Sequence, residues 1–166
     1  TCILLSPVVA LIAILLTPER MQKLVKLTAL ASASFSLALS IWLCVIYNQA
    51  TGGFQFVEHY QWLPQLGITY TLGLDGINLP MILLTSLVAF SGVLTMWELE
   101  FRVKEFFASL LFLLSGVFGV FVSLDLFFFF LFYEIAILPM FLLISIWGST
   151  KKEYSAMKLT LYLTAG

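Results

Sequence analysis

Charge is scarce in this chain. Of its 166 residues only 8 are Lys or Arg, 9 are Asp or Glu, and one is His. A water-soluble domain of this length needs more solvated surface than that, so a soluble globular protein is excluded. The basic patch that nucleic acid demands is also missing, and no nucleic-acid partner is expected. Cys2 and Cys44 lie in apolar runs with no CxxC or ligand spacing, so they support neither a disulfide framework nor a metal site. The sequence has no GxGxxG or phosphate-binding loop, no HExxH and no nucleophile elbow. Redox chemistry and bound cofactors are therefore not expected in this chain itself.

What remains is apolar: 61% of residues are hydrophobic and 16% aromatic, and the mean hydropathy is +1.07. Uncharged runs long enough to cross a bilayer fall at about residues 1–16, 27–47, 78–97, 106–122 and 126–147, and another begins near 154. This predicts a single all-α polytopic membrane domain over residues 1–166, with five complete transmembrane helices and the start of a sixth. The first run has no initiator Met and no basic flank before it, which is not the pattern of a processed export signal.

The connections alternate in sign. Arg20, Lys23 and Lys26 follow span one, Arg102 and Lys104 follow span three, and Lys151 and Lys152 follow span five. The stretch 48–77 carries only Glu58, His59 and Asp75, and the turn 123–125 only Asp125. Basic loops stay on the cytoplasmic side, so the amino terminus is expected outside. Within the long outer loop, Gly52-Gly53, Phe54-Gln55-Phe56-Val57, Trp62, Pro64 and Gly67-Ile68-Thr69-Tyr70-Thr71-Leu72 predict a small hairpin. Asp75 is expected to accept first-turn amides of span three rather than bind an ion. His59 is expected to be solvated or locally bonded, since one histidine makes no metal site. The cluster Glu98, Glu100, Arg102, Lys104 and Glu105 reads as a solvated turn.

Two ionisable groups stand inside apolar runs. Glu134, in Leu131-Phe132-Tyr133-Glu134-Ile135, lies about 12 Å into a span of about 33 Å, too deep for its side chain to reach the interface. A carboxyl at that depth costs roughly 2.5–3.5 kcal/mol on insertion scales, and such groups face protein or water and mark ion or proton paths. Pro139 frees the carbonyl of Ile135 beside it, and the helix is expected to turn this face toward other helices. The alternative is a protonated glutamate that ties two helices together. The aromatics Phe127 to Phe130 and Phe132 read as lipid and packing surface. Lys158 shares an i, i+4, i+8 stripe with Tyr154 and Tyr162. It lies about 9 Å past Lys152, and either joins a proton path or snorkels back to the surface. A carboxylate and an ammonium on neighbouring helices would influence each other's protonation.

The runs from Tyr70 to Thr85 (YTLGLDGINLPMILLT), Phe132 to Gly148 (FYEIAILPMFLLISIWG) and Tyr154 to Tyr162 (YSAMKLTLY) resemble, in order and spacing, the antiporter-like membrane subunits of respiratory complex I. The Pro-Met after the glutamate and the Trp147-Gly148 pair are most similar to subunit M, called chain 4 in mitochondria; Tyr133 stands where many members have Trp. The resemblance implies a proton-translocating subunit of an NADH:quinone oxidoreductase, with Glu134 and Lys158 on the proton path. It implies NADH, FMN, iron–sulfur clusters and quinone in partner subunits. The partners are then the other membrane and peripheral subunits, the lipid bilayer and protons, in a bacterial inner, mitochondrial inner or thylakoid membrane. Family members have about fourteen spans in inverted repeats, so these residues correspond to the N-terminal part of a longer subunit. The span-seven lysine coupled to the family's glutamate falls outside them. A cation/proton antiporter or membrane-bound hydrogenase subunit shares the motifs. A passive membrane scaffold is the alternative of another class.

Overall fold

The computed structural model describes residues 1–18, 21–48, 53–63, 65, 68–148 and 152–165. Arg20, Gly52, Pro64, Gly67 and Lys151, used above, lie outside the described residues. The chain forms helices α1 (Cys2–Leu16) and α2 (Gln22–Ile46), a hairpin of β1 (Gln55–Leu63) and β2 (Ile68–Leu74), and helices α3 (Asn78–Thr95), α4 (Val103–Val122), α5 (Leu126–Trp147) and α6 (Lys152–Ala165). A 3-10 turn, Met96–Glu98, extends α3. Helices α2, α3 with its extension, α4 and α5 are long and apolar enough to cross a membrane, whereas α1 is a shorter apolar helix.

Span five has the bounds that the sequence predicts. Others begin earlier: α2 at Gln22 rather than Leu27, and α4 at Val103 rather than Phe106. Hydropathy marks the lipid-facing stretch, while Gln and Lys are good helix formers and carry the backbone helix on past it. The hairpin is also longer than its apolar signal, with β1 and β2 antiparallel and His59 paired to Thr71.

Hydrogen bonds at the two ends of the bundle establish its antiparallel order. At one end Lys26 Nζ donates to the carbonyls of Trp97 (2.6 Å) and Leu99 (3.0 Å), Lys104 Nζ to that of Leu15 (2.9 Å), and Lys152 Nζ to that of Ile146 (2.9 Å). Helices α1, α3 and α5 all finish there, where free carbonyls and the negative end of the helix dipole attract cations. The hairpin closes the other end. The Thr1 hydroxyl bonds Glu58, and the Leu124 amide donates to the Thr71 carbonyl at 2.9 Å.

The core lies where α4 packs against α1, α2, α3 and α5, around Phe107, Leu111 and Phe118. A second feature is polar. Ser32, Ser36 and Ser40, four apart on α2, are buried; Ser36 Oγ meets Ser6 Oγ of α1 at 2.8 Å, and Ser40 Oγ meets Ser86 Oγ of α3. Small hydroxyl residues let helices approach and bond across the contact, which lipid tails cannot replace.

Candidate functional site

Glu134 is positioned by what happens at the start and on the back of α5. The start is capped: Asp125 Oδ1 accepts the Phe127 amide at 2.8 Å, which satisfies one free first-turn donor. The same carboxylate binds the hairpin, its Oδ2 accepting the Thr69 amide at 3.2 Å and the Thr69 hydroxyl at 3.1 Å. Partial desolvation works against the charge of Asp125, but the donors from Thr69, Phe127 and Phe128 outweigh it and hold the carboxyl below its ordinary value. Phe128 is buried beneath the rings of Trp62 and Tyr70, at 5.2 and 5.1 Å between centroids.

The back of α5 lies on two glycines of α4. A Cβ on Gly116 would come within 2.9 Å of the Ala136 backbone, and one on Gly119 within 2.2 Å of the Phe132 ring. With Phe132 and Ala136 seated in that groove, Glu134 points about 200° away from each. It is exposed, on a face shared with Leu131, Leu138 and Leu142. The expectation that this face turns toward other helices is therefore not met within these residues. The glycine groove takes the opposite face, and Pro139, beside the glutamate in sequence, is buried. The proline still leaves the Ile135 carbonyl without its i+4 amide.

Helix α6 packs along α5, and the Tyr133 hydroxyl donates to the Leu163 carbonyl at 2.9 Å. Tyr154, Lys158 and Tyr162 all lie on the exposed side of α6, as their spacing predicts, and Lys158 Nζ stands 5.8 Å from the centre of the Tyr162 ring. Among the described residues no ion pair or hydrogen bond joins Glu134 to Lys158, whereas Arg102 and Glu105 do form an ion pair. Asp75 accepts the amides of Ile77 and Asn78 at 2.9 and 2.7 Å, as a cap should. His59 is locally bonded, its Nδ1 lying 2.9 Å from Thr71 Oγ1. The role of Thr69 and Thr71 in holding Asp125 carried no signal in the sequence beyond β-propensity.

An antiparallel bundle of apolar helices, closed at one end by a hairpin and carrying one carboxyl in mid-helix, defines a polytopic membrane protein. Comparison with known proteins narrows the class. No known family profile matches the sequence. The chain is 38% identical over 168 residues to NAD(P)H-quinone oxidoreductase chain 4 3 of Trichormus variabilis, covering 99% of this chain and 31% of that one. It is 34% identical over 166 residues to NAD(P)H-quinone oxidoreductase chain 4 of Gloeobacter violaceus, covering 100% and 31%. In structure it matches respiratory complex I from Thermus thermophilus with a TM-score of 0.80 at 25% identity, over 96% of this chain and 32% of that one. An archaeal membrane-bound sulfane sulfur reductase shares the fold, with a TM-score of 0.73 over 96% of this chain and 24% of that one, at 24% identity. Across its length the chain is thus homologous to the chain 4 membrane subunits of NAD(P)H-quinone oxidoreductase. It spans about a third of the length of the curated relatives it matches.

Proposed function

We propose that these residues belong to a proton-translocating membrane subunit of an NADH:quinone oxidoreductase, with Glu134 and Lys158 as proton-carrying groups. The observation that carries this reading is homology to chain 4 over the whole chain, together with a carboxyl in the middle of an apolar, proline-bearing helix. Intramembrane carboxyls are retained where they serve transport, since each costs insertion energy. The bare face of α5 leaves the carboxyl open to a further helix or to water, and the exposed stripe of α6 offers Lys158 and two phenols on the neighbouring helix. Quinone reduction elsewhere in the complex would bias protonation of Glu134 through neighbouring charges. The nucleotide, flavin, iron–sulfur and quinone chemistry then belongs to partner subunits. The lysine-bearing end of the bundle faces the cytoplasmic side or its equivalent, and the hairpin end with Thr1 faces outward.

The test is Glu134→Gln in the full-length subunit, with proton uptake and NADH:quinone activity measured in vesicles and assembly checked in parallel. Gln keeps the shape and removes the titrating proton. Proton transfer by a positioned group contributes about 100-fold or more, so an assembled complex is expected to lose pumping and coupled oxidation together. Full activity would leave a structural scaffold as the better account.

A further inference from the structure

The hairpin face that meets α5 carries a hydrogen-bond chain whose direction can be deduced. Asp125, held in its ionised form by three donors, offers only lone pairs. Thr69 Oγ1 lies 3.1 Å from Asp125 Oδ2 and gives it its single hydroxyl hydrogen. Thr71 Oγ1 lies 3.1 Å from Thr69 Oγ1 and spends its hydrogen there. Nothing is left on Thr71 to donate to His59, 2.9 Å away. The histidine must therefore be the donor, with its proton on Nδ1. Pairing of His59 with Thr71 across the strands brings these groups together, and the Leu124 amide on the Thr71 carbonyl fixes the strand against the α4–α5 turn.

We propose that His59, Thr71 and Thr69 form a one-way hydrogen-bond chain that fixes Asp125 and so sets the position of the helix that carries Glu134, making the exposed His59 a positioning residue. Glu134 lies nine residues, or about 13 Å, along α5 from Asp125. A shift at the cap moves it bodily, because the helix between is unbroken. The functional half of the proposal rests on the reading of Glu134 as a proton carrier; the direction of the chain does not.

The first test reads the direction alone. In the full-length subunit in lipid nanodiscs, nitrogen NMR of labelled histidine, above the pH range where histidines titrate, is expected to show His59 protonated on Nδ1. Its signal is assigned by its loss in His59→Asn. Thr69→Val frees the Thr71 hydroxyl to donate back, so the proton is expected to move to Nε2. A wild-type proton on Nε2, or a tautomer unmoved by Thr69→Val, overturns the chain. The second test reads function in the assembled complex. Removing one hydrogen bond is worth roughly fivefold, so His59→Ala is expected to slow proton uptake by about that factor. His59→Asn, whose amide N–H stands near the Nδ1 position, should restore the rate; His59→Gln, which reaches the Nε2 position, should not. Unchanged uptake in His59→Ala, with Glu134→Gln inactive in the same assay, overturns the positioning role. If Glu134→Gln pumps normally, the proton-carrier reading fails and the tautomer result still decides the chain.

Discussion

Helices α4 and α5 are of similar length, 20 and 22 residues, and both are almost wholly apolar, yet they occupy different places. Half of α4's most apolar stretch is buried within the bundle, against 17% of α5's. Composition of side-chain size, rather than apolarity, separates them. Helix α4 carries Ala108, Ser115, Gly116 and Gly119 on its buried sides and is approached from several directions. Helix α5 begins Leu-Phe-Phe-Phe-Phe-Leu-Phe and presents little that a neighbour can approach closely. Lipid solvates apolar surface as well as protein does, so burial in a membrane follows close packing. The ionisable group sits on the helix with the bare face.

The contrast breaks most severely at the groove itself. A Cβ on Gly119 would already overlap Phe132 at 2.2 Å, so Gly119→Leu must push α5 away. Overpacking of this kind costs about 3 kcal/mol. The expected outcome is loss of the α4–α5 contact, read as a fall in thermal stability of the purified subunit and a new accessibility of Ala136→Cys to a thiol reagent. Gly92, whose added Cβ would meet nothing within 4 Å, is the control. Gly92→Ala should be neutral or slightly stabilising, since Ala is the better helix former.

A smaller effect sharpens the same comparison. Phe107 is fully buried on α4, while Phe130 on α5 is 55% exposed. In a bilayer the transfer energy of a ring largely cancels, and what remains is the cavity. At about 24 cal/mol per Å³ and a loss of about 100 Å³, Phe107→Ala should cost about 2 kcal/mol. Phe130→Ala leaves no cavity and should change stability by less than about 0.5 kcal/mol. Equal losses in denaturation of the two variants would mean that α5 is as enclosed as α4.

The sequence states the apolar runs, the alternation of charge and the place of Glu134 along its helix openly, because each depends on composition along one dimension. The bounds of α5 were legible because Asp125 and Gly148 punctuate an apolar run that holds one charged residue, Glu134. Its orientation was not. A helix that is apolar all round has no period to reveal which side packs, and only the Gly116 and Gly119 spacing on another helix decides it. The serine seam did leave a trace, since Ser32, Ser36 and Ser40 recur every fourth residue in an apolar helix. Its partners Ser6 and Ser86 lie 26 or more residues away and carry no such mark. The left-handed Arg102 at the start of α4, with φ of 51°, was hidden for the same reason. It depends on where the chain must go next, not on what residue is there.

The smallest difference lies at the helix starts. Helix α5 is held by an ionised cap, Asp125, whereas α4 begins at Arg102 with no side-chain cap. The Asp125 carboxyl is depressed below its ordinary value of 3.8, so the folded state favours its charged form. That contribution is complete above the ordinary carboxylate range and is lost as the pH falls through the depressed value. Acid should therefore loosen the start of α5 and its tie to the hairpin while leaving the start of α4 alone. Amide hydrogen exchange can read this, with the intrinsic acid slowing of exchange divided out. The Thr69 and Phe127 amides, which both donate to Asp125, should lose protection at low pH. The Phe106 amide, bonded to the Arg102 carbonyl, should keep its own. Asp125→Ala should show the low-pH pattern at neutral pH and abolish its pH dependence. If the wild type loses protection equally at both helix starts, the loss is global unfolding and the cap is not what distinguishes them.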